Sequence, residues 1–390
     1  MASSSTSSSH SKPPSAGYSA RSSRAVSPAS ELGPPPRRST SPTSSTGTCS
    51  TTTSPPTSKS RWQKLISSLR KSKDSDSSST VEAHRLKHSH NCSNAFLRAG
   101  ISNMKGYKKA NQDRCTAFSY LENDPDLSFF AVYDGHGGTG VANYLKDHLH
   151  EFVLDQVEYK EGNMEEAILK AFLQVDQDLR TYGTATELTG STATVLLIKH
   201  GELFCANLGD SRATACVRGL VKPLTCDHNT SNAKERERVY AMGGTIKDNR
   251  VSGVLIPTRC FGDFLLKSEI EKPAWKQVIS AVPQILSFKI TSNWDFIVVG
   301  SDGVWDAMTN QEMISFVKTK LSAMCAGQTS RDKVVLSTLC EEILDLCCAK
   351  TVERYGKNSC DNMTIIIIWM DHSDHRSETG SSVVSSVVSR

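Results

Sequence analysis

Phe129-Phe-Ala-Val-Tyr-Asp134-Gly-His136-Gly-Gly138 is an apolar run that ends in an acid and a glycine-rich turn. Phe129–Tyr133 has the bulk and β-branching of a buried strand, and Asp-Gly is a turn signal. The same form returns in Phe296-Ile-Val-Val-Gly-Ser-Asp302-Gly-Val-Trp-Asp306. It is inverted in Cys360-Asp361-Asn-Met-Thr-Ile-Ile-Ile-Ile368, where the acid precedes its strand. Asn207-Leu-Gly-Asp210-Ser-Arg212 places another acid at the tip of a hairpin. Any one Asp-Gly is an ordinary turn; the set is not. Carboxylates that converge repel one another unless a cation lies between them. Oxygen ligands without clustered Cys or His select Mg²⁺ or Mn²⁺ over Zn²⁺. A pair of such ions activates water and clamps a phosphoryl oxygen. His136, two residues from Asp134, is placed to protonate a leaving oxygen.

Further strands are predicted at 191–198, 202–208, 213–217 and 363–370. Helices are predicted at 137–149, 164–182, 310–321 and 330–350, the second carrying Ala167, Ile168, Ala171, Phe172 and Val175 on one face. Helices do not alternate one for one with strands, so a doubly wound parallel sheet is disfavoured. The expected class is α+β: a central sandwich of stacked antiparallel sheets covered by helices.

Residues 1–73 carry eleven Lys and Arg against Glu31, a net +10, while the remaining 34 basic and 40 acidic side chains leave −6. The formal +4 therefore describes neither part, and the basic balance is no argument for nucleic-acid binding. The expected organisation is a disordered Ser/Thr/Pro-rich tail at 1–91, a catalytic domain at 92–371 and a disordered Ser-rich tail at 372–390. Within the first tail, Trp62, Leu65, Ile66 and Leu69 would line one side of a basic helix at 61–73, a candidate for peripheral membrane or partner docking. No apolar run is long enough for a membrane span. Twelve Cys without CxxC pairs read as reduced thiols in the cytoplasm or nucleus, with organelle import as the alternative.

At Val132-Tyr-Asp-Gly-His-Gly-Gly138 the chain resembles the type-2C family of metal-dependent protein serine/threonine phosphatases. The family's other motifs follow in order: Asn111-Gln-Asp113, Thr189-Gly-Ser-Thr-Ala193, Gly209-Asp-Ser-Arg212, Asp227-His228, Glu235-Arg-Glu-Arg238, Thr258-Arg-Cys-Phe-Gly-Asp263, Ser301-Asp-Gly-Val-Trp-Asp306 and Asp361-Asn-Met-Thr364. The resemblance implies a β-sandwich flanked by helices on both outer faces, with two Mg²⁺ or Mn²⁺ ions at one end. Asp134 would bridge them, with the Gly135 carbonyl on one ion and Asp302 and Asp361 on the other. Asp210 with Asp302 would hold a third ion. Asp113, Asp306 and Gln112 would lie in the outer shell. A bridging hydroxide would attack phosphorus of phosphoserine or phosphothreonine directly, and His136 would protonate the departing oxygen. Residues 229–257 align with the variable flap beside the cleft.

Two positions depart from the pattern. Lys108 stands where many members have a phosphate-binding Arg, so a point charge replaces a bidentate fork. Gln112 stands where a Glu is common. Every direct ligand position keeps its donor, which favours an active enzyme acting on phosphoproteins, as a monomer. The alternative is a catalytically weak, phosphatase-like scaffold.

Overall fold

A computed structural model describes residues 84–181, 188–326 and 333–371, apart from 268 and 270. The tail helix expected at 61–73 and both expected disordered tails beyond 84 and 371 lie outside these residues. One sheet has six strands in the order β1(His84–Ser93), β2(Leu97–Gly106), β16(Met363–Met370), β15(Trp294–Gly300), β9(Arg212–Val217) and β10(Leu220–Pro223). The second has five: β14(Gln284–Lys289), β8(Glu202–Leu208), β7(Ala193–Lys199), β4(Leu127–Tyr133) and β3(Arg114–Phe118). Neighbouring strands in both sheets are antiparallel.

Side-chain alternation explains why antiparallel strands here read as unbroken apolar runs. On β16, Ile366, Ile368 and Met370 meet Phe130 and Val132 of β4 between the sheets. The alternate residues Met363, Ile365, Ile367 and Trp369 face outward into helix packing. On β4, Phe129, Ala131 and Tyr133 likewise point to the opposite layer. Both faces are covered, so neither can be polar. Burying each such Ile or Phe contributes about 1.5–3 kcal/mol.

The outer layers are helices. Helices α1(Gly140–Asp155), α2(Val157–Lys160) and α3(Met164–Thr181) flank the five-stranded sheet. On α3 the expected apolar face is buried, with Glu165 and Glu166 in the first turn and Arg180 in the last, complementing the helix dipole. Helix α4(Ala233–Ala241) lies in the flap region. The short α5(Asp302–Trp305), then α6(Asn310–Cys325) and α7(Leu336–Tyr355), cover the six-stranded sheet. A reciprocal Thr309–Glu312 capping box starts α6.

Some boundaries differ from expectation. The helix expected from Gly137 starts at Gly140, because Gly137 and Gly138 hold φ of 71° and 151°, outside the helical region. Residues 84–91, expected within the first tail, instead form most of β1, a polar edge strand held by its register with β2, His90 opposite Ile101 and Cys92 opposite Ala99. Strands β2, β3 and β14 were also not predicted; the partial burial of β3 and β14 leaves a mixed pattern with no clean period.

Candidate active site

The antiparallel registers bring the acidic turns to one end of the sandwich. Asp134 follows β4, whose last residue Tyr133 pairs with Arg114, the first of β3 and the neighbour of Asp113. Asp302 opens α5 directly after β15, where Gly300 pairs with both Ile365 of β16 and Arg212 of β9. Asp361 lies two residues before β16, and Asp210 sits in the turn between β8 and β9. The two sheets contribute both partners of this convergence.

The electrostatics are dominated by like charge. Desolvation pushes the Asp134 carboxyl well above its ordinary range, and Asp302, Asp113 and Asp210 push it further the same way. Asp302 is raised by desolvation and then by Asp210, Asp361 and Asp306, while sharing a hydrogen bond with Asp134. Asp210 is raised to about 7, by desolvation first and then by Asp227. Asp113 is raised to about 6 by desolvation, against hydrogen bonds from Ser301 and Thr364 that lower it. Asp306, at the end of α5, is raised by desolvation and by Asp361.

Asp113 is also half-satisfied. Its Oδ2 accepts from Ser301 Oγ at 2.7 Å and Thr364 Oγ1 at 2.8 Å. Its Oδ1 is buried with no hydrogen-bond partner. A buried acceptor left open costs about 1–3 kcal/mol, so it is suited to a water held by a cation. Hard oxygen donors, mutual repulsion and an orphaned acceptor together fit a divalent metal of the Mg²⁺ or Mn²⁺ type.

Lys108 Nζ donates to Asp361 Oδ2 at 2.6 Å, on the rim, with both side chains about two-fifths exposed. The Gln112 backbone is fixed: its N–H donates to Asn362 Oδ1 at 2.8 Å. A Cβ on Gly135 would come within 2.6 Å of the Gln112 carbonyl, so only glycine fits there. Asn362 also donates to the carbonyls of Lys105 at 2.7 Å and Ala110 at 3.0 Å. It thereby ties the loop carrying Lys108 to the segment that leads from Asp361 into β16. Sequence reasoning assigned no role to Asn362, Ser301, Thr364 or Asp263, although each stands inside or beside a quoted motif.

His136, two residues from Asp134, pairs with a carboxylate outside that cluster. Its Nε2 lies 2.6 Å from Oδ2 of the buried Asp263. Cys260 Sγ donates to the same oxygen at 2.9 Å, and burial holds that thiol well above its ordinary range. In the flap, buried Glu235 meets Arg259 Nη2 at 2.6 Å, Arg238 Nε at 3.0 Å and Thr258 Oγ1 at 2.8 Å. Desolvation would raise its carboxyl, yet the two guanidinium groups hold it at about 2. Pro257 is accommodated because the flanking Thr258 N–H and Ile256 carbonyl make the backbone hydrogen bonds, to His228 and Thr230.

Residues 97–355 match the family described as Protein phosphatase 2C. A Caenorhabditis elegans protein named as a probable protein phosphatase 2C is 42% identical over 287 residues, covering 73% of this chain and 78% of its own. Protein phosphatase 2C homolog 2 of Schizosaccharomyces pombe is 34% identical over 292 residues, covering 73% and 76%. In fold, the serine-threonine phosphatase 2C structure from Toxoplasma gondii aligns with a TM-score of 0.59 at 18% identity, covering 73% of this chain and 99% of that one. The chain belongs to the protein phosphatase 2C family, the Mg²⁺- or Mn²⁺-dependent serine/threonine protein phosphatases.

Proposed function

We propose that the chain hydrolyses phosphoserine and phosphothreonine in proteins without a phosphoenzyme. The observation that carries this is the convergence of Asp134, Asp302, Asp210 and Asp113, each pushed toward its protonated form by desolvation and by its acidic neighbours. Asp134, Asp302, Asp361 and the Gly135 carbonyl would hold two Mg²⁺ or Mn²⁺, with Asp210 and Asp302 at a third position. Such ions supply hydroxide at neutral pH and polarise the phosphoryl group. Asp113 and Asp306 orient water, with Ser301 and Thr364 holding Asp113 in place. Lys108, exposed at the rim, leaves Asp361 to neutralise the incoming phosphate. His136 delivers a proton to the departing serine or threonine oxygen.

The test is phosphate release from a phosphothreonine peptide by the full chain with Mn²⁺, with Mg²⁺ and with chelator, beside Asp302→Ala. Turnover that needs metal and disappears in the variant supports the reading. Folded protein without turnover on several peptides would favour the scaffold alternative. Cysteines without disulfides among the described residues suit the cytoplasm or nucleus. Imaging of the tagged chain tests that placement, and its mass in solution tests the monomer.

A further inference from the structure

His136, Gly190 and Asp263 are far apart in sequence and are joined by three short strands outside both large sheets. β5(Gly135–His136), β6(Gly190–Ser191) and β13(Phe261–Gly262) pair in the order β13-β6-β5. Gly190 faces His136 on one side and Gly262 on the other. The residue after β13 is Asp263, whose carboxylate reaches His136 Nε2 at 2.6 Å.

Three features make this contact more than a surface ion pair. Asp263 is 1% exposed, while the imidazole is 26% exposed and so still reaches solvent. Asp263 also holds φ at 52°, left-handed backbone that costs a side-chain-bearing residue about 1 kcal/mol or more. Finally, Gly190 is hollowed out for the pair: a Cβ there would stand 2.6 Å from His136 Nε2 and collide with the Asp263 carboxylate. The Cys260 thiol donates to the same Oδ2, fixing the carboxylate from its buried side.

A carboxylate only accepts, so the shared hydrogen belongs to Nε2. Nδ1 is then the nitrogen left to serve the cleft. We propose that Asp263 is the positioning residue for His136, locking the ring and its tautomer so that Nδ1 meets the departing oxygen. This rests on the reading of His136 as the proton donor. As the hydroxide oxygen bonds to phosphorus, the bond from phosphorus to the serine or threonine oxygen breaks. Its electron pair stays on that oxygen, which takes the proton from Nδ1. The neutral ring keeps its other proton on Nε2, against Asp263.

The leaving group separates positioning from folding. A threonine alkoxide needs the proton; p-nitrophenolate leaves without it. In the full chain with Mn²⁺, Asp263→Gly, which keeps the left-handed backbone, is expected to lower kcat on a phosphothreonine peptide about ten- to hundredfold, part of what a general acid contributes. KM for the peptide and turnover of p-nitrophenyl phosphate should stay within about threefold. Asp263→Asn, which can still accept from Nε2–H, should recover part of the loss. In a His136→Ala background, Asp263→Gly should cost nothing more. Equal losses on both substrates, or a further peptide-selective loss without His136, would overturn the inference. If His136→Ala itself shows no peptide-selective loss, the proton-donor reading fails first and takes this one with it. Should the Asp263 variants not fold, nitrogen NMR of the wild-type imidazole decides: a neutral ring protonated on Nε2 agrees, and one protonated on Nδ1 does not.

Discussion

Glu235 in the flap and Asp302 at the sandwich end are both carboxylates that desolvation pushes upward, and their surroundings are opposite. Glu235 lies between Arg238 and Arg259 and accepts from Thr258, so its charge is matched within the protein and its carboxyl is held at about 2 despite desolvation. Asp302 faces Asp210, Asp361 and Asp306, and shares a hydrogen bond with Asp134, so its charge is opposed. The flap carboxylate is structural: its partners are covalently part of the chain. The end carboxylates face one another, and on the proposed function they are the groups that would hold the metal ions. At the sandwich end, what the proposed function needs therefore costs stability, whereas in the flap the charge is matched and stabilises.

The contrast breaks most visibly at Asp302. Asp302→Asn is expected to lower phosphopeptide turnover on the order of 10³-fold or more. In chelator the same variant should melt at a higher temperature than wild type, since a repelled charge has gone. Turnover and melting measured on one preparation check both signs. At Glu235 the outcome reverses: Glu235→Ala leaves two guanidinium groups uncompensated and should cost about 3 kcal/mol of stability, read by denaturant unfolding with or without metal.

Metal sharpens the comparison. Saturating Mn²⁺, at about 100 times its dissociation constant, should stabilise wild type by about 2.7 kcal/mol and Asp302→Asn far less. Calorimetry in Mn²⁺ and in chelator reads the difference. The smallest effect is in pH. Asp210 and Asp113 have folded-state pKa values raised to about 7 and about 6. Their protonation favours the folded state, so chelated protein should lose on the order of 1 kcal/mol or more as pH rises from about 4 to 7. Glu235, lowered to about 2, contributes stability above its ordinary pKa that is lost as pH falls toward 2. Chelated protein should thus be most stable near pH 4–5, and Mn²⁺ should flatten the upper limb in a series of denaturant titrations.

Much of this was legible in the sequence because the decisive residues announce themselves locally. Asp134, Asp302 and Asp361 each adjoin an apolar strand and a glycine or asparagine, and the ordered motifs name the fold. The α3 face from Ala167 to Val175 needed nothing beyond its spacing. What escaped depends on partners distant in the chain. His84–Ser93 is polar and becomes a strand through β2. Asp263 acquires a role only when β13 is brought beside β6 and β5, 127 positions from His136. Asn362 has no role in the sequence reading because what it holds is the carbonyls of Lys105 and Ala110, on a segment more than 250 positions earlier.

The six-stranded sheet is not built in the order in which its strands are made. β16, the final described strand, slots between β2 and β15, with Ile366 opposite both Ile101 and Val299. During synthesis, then, β2 and β15 each present an unpaired apolar edge until almost the whole domain has left the ribosome. The strand that closes this gap is preceded by Asp361. A nascent or truncated chain lacking it would have neither a closed sheet nor the full set of carboxylates that the proposed function needs.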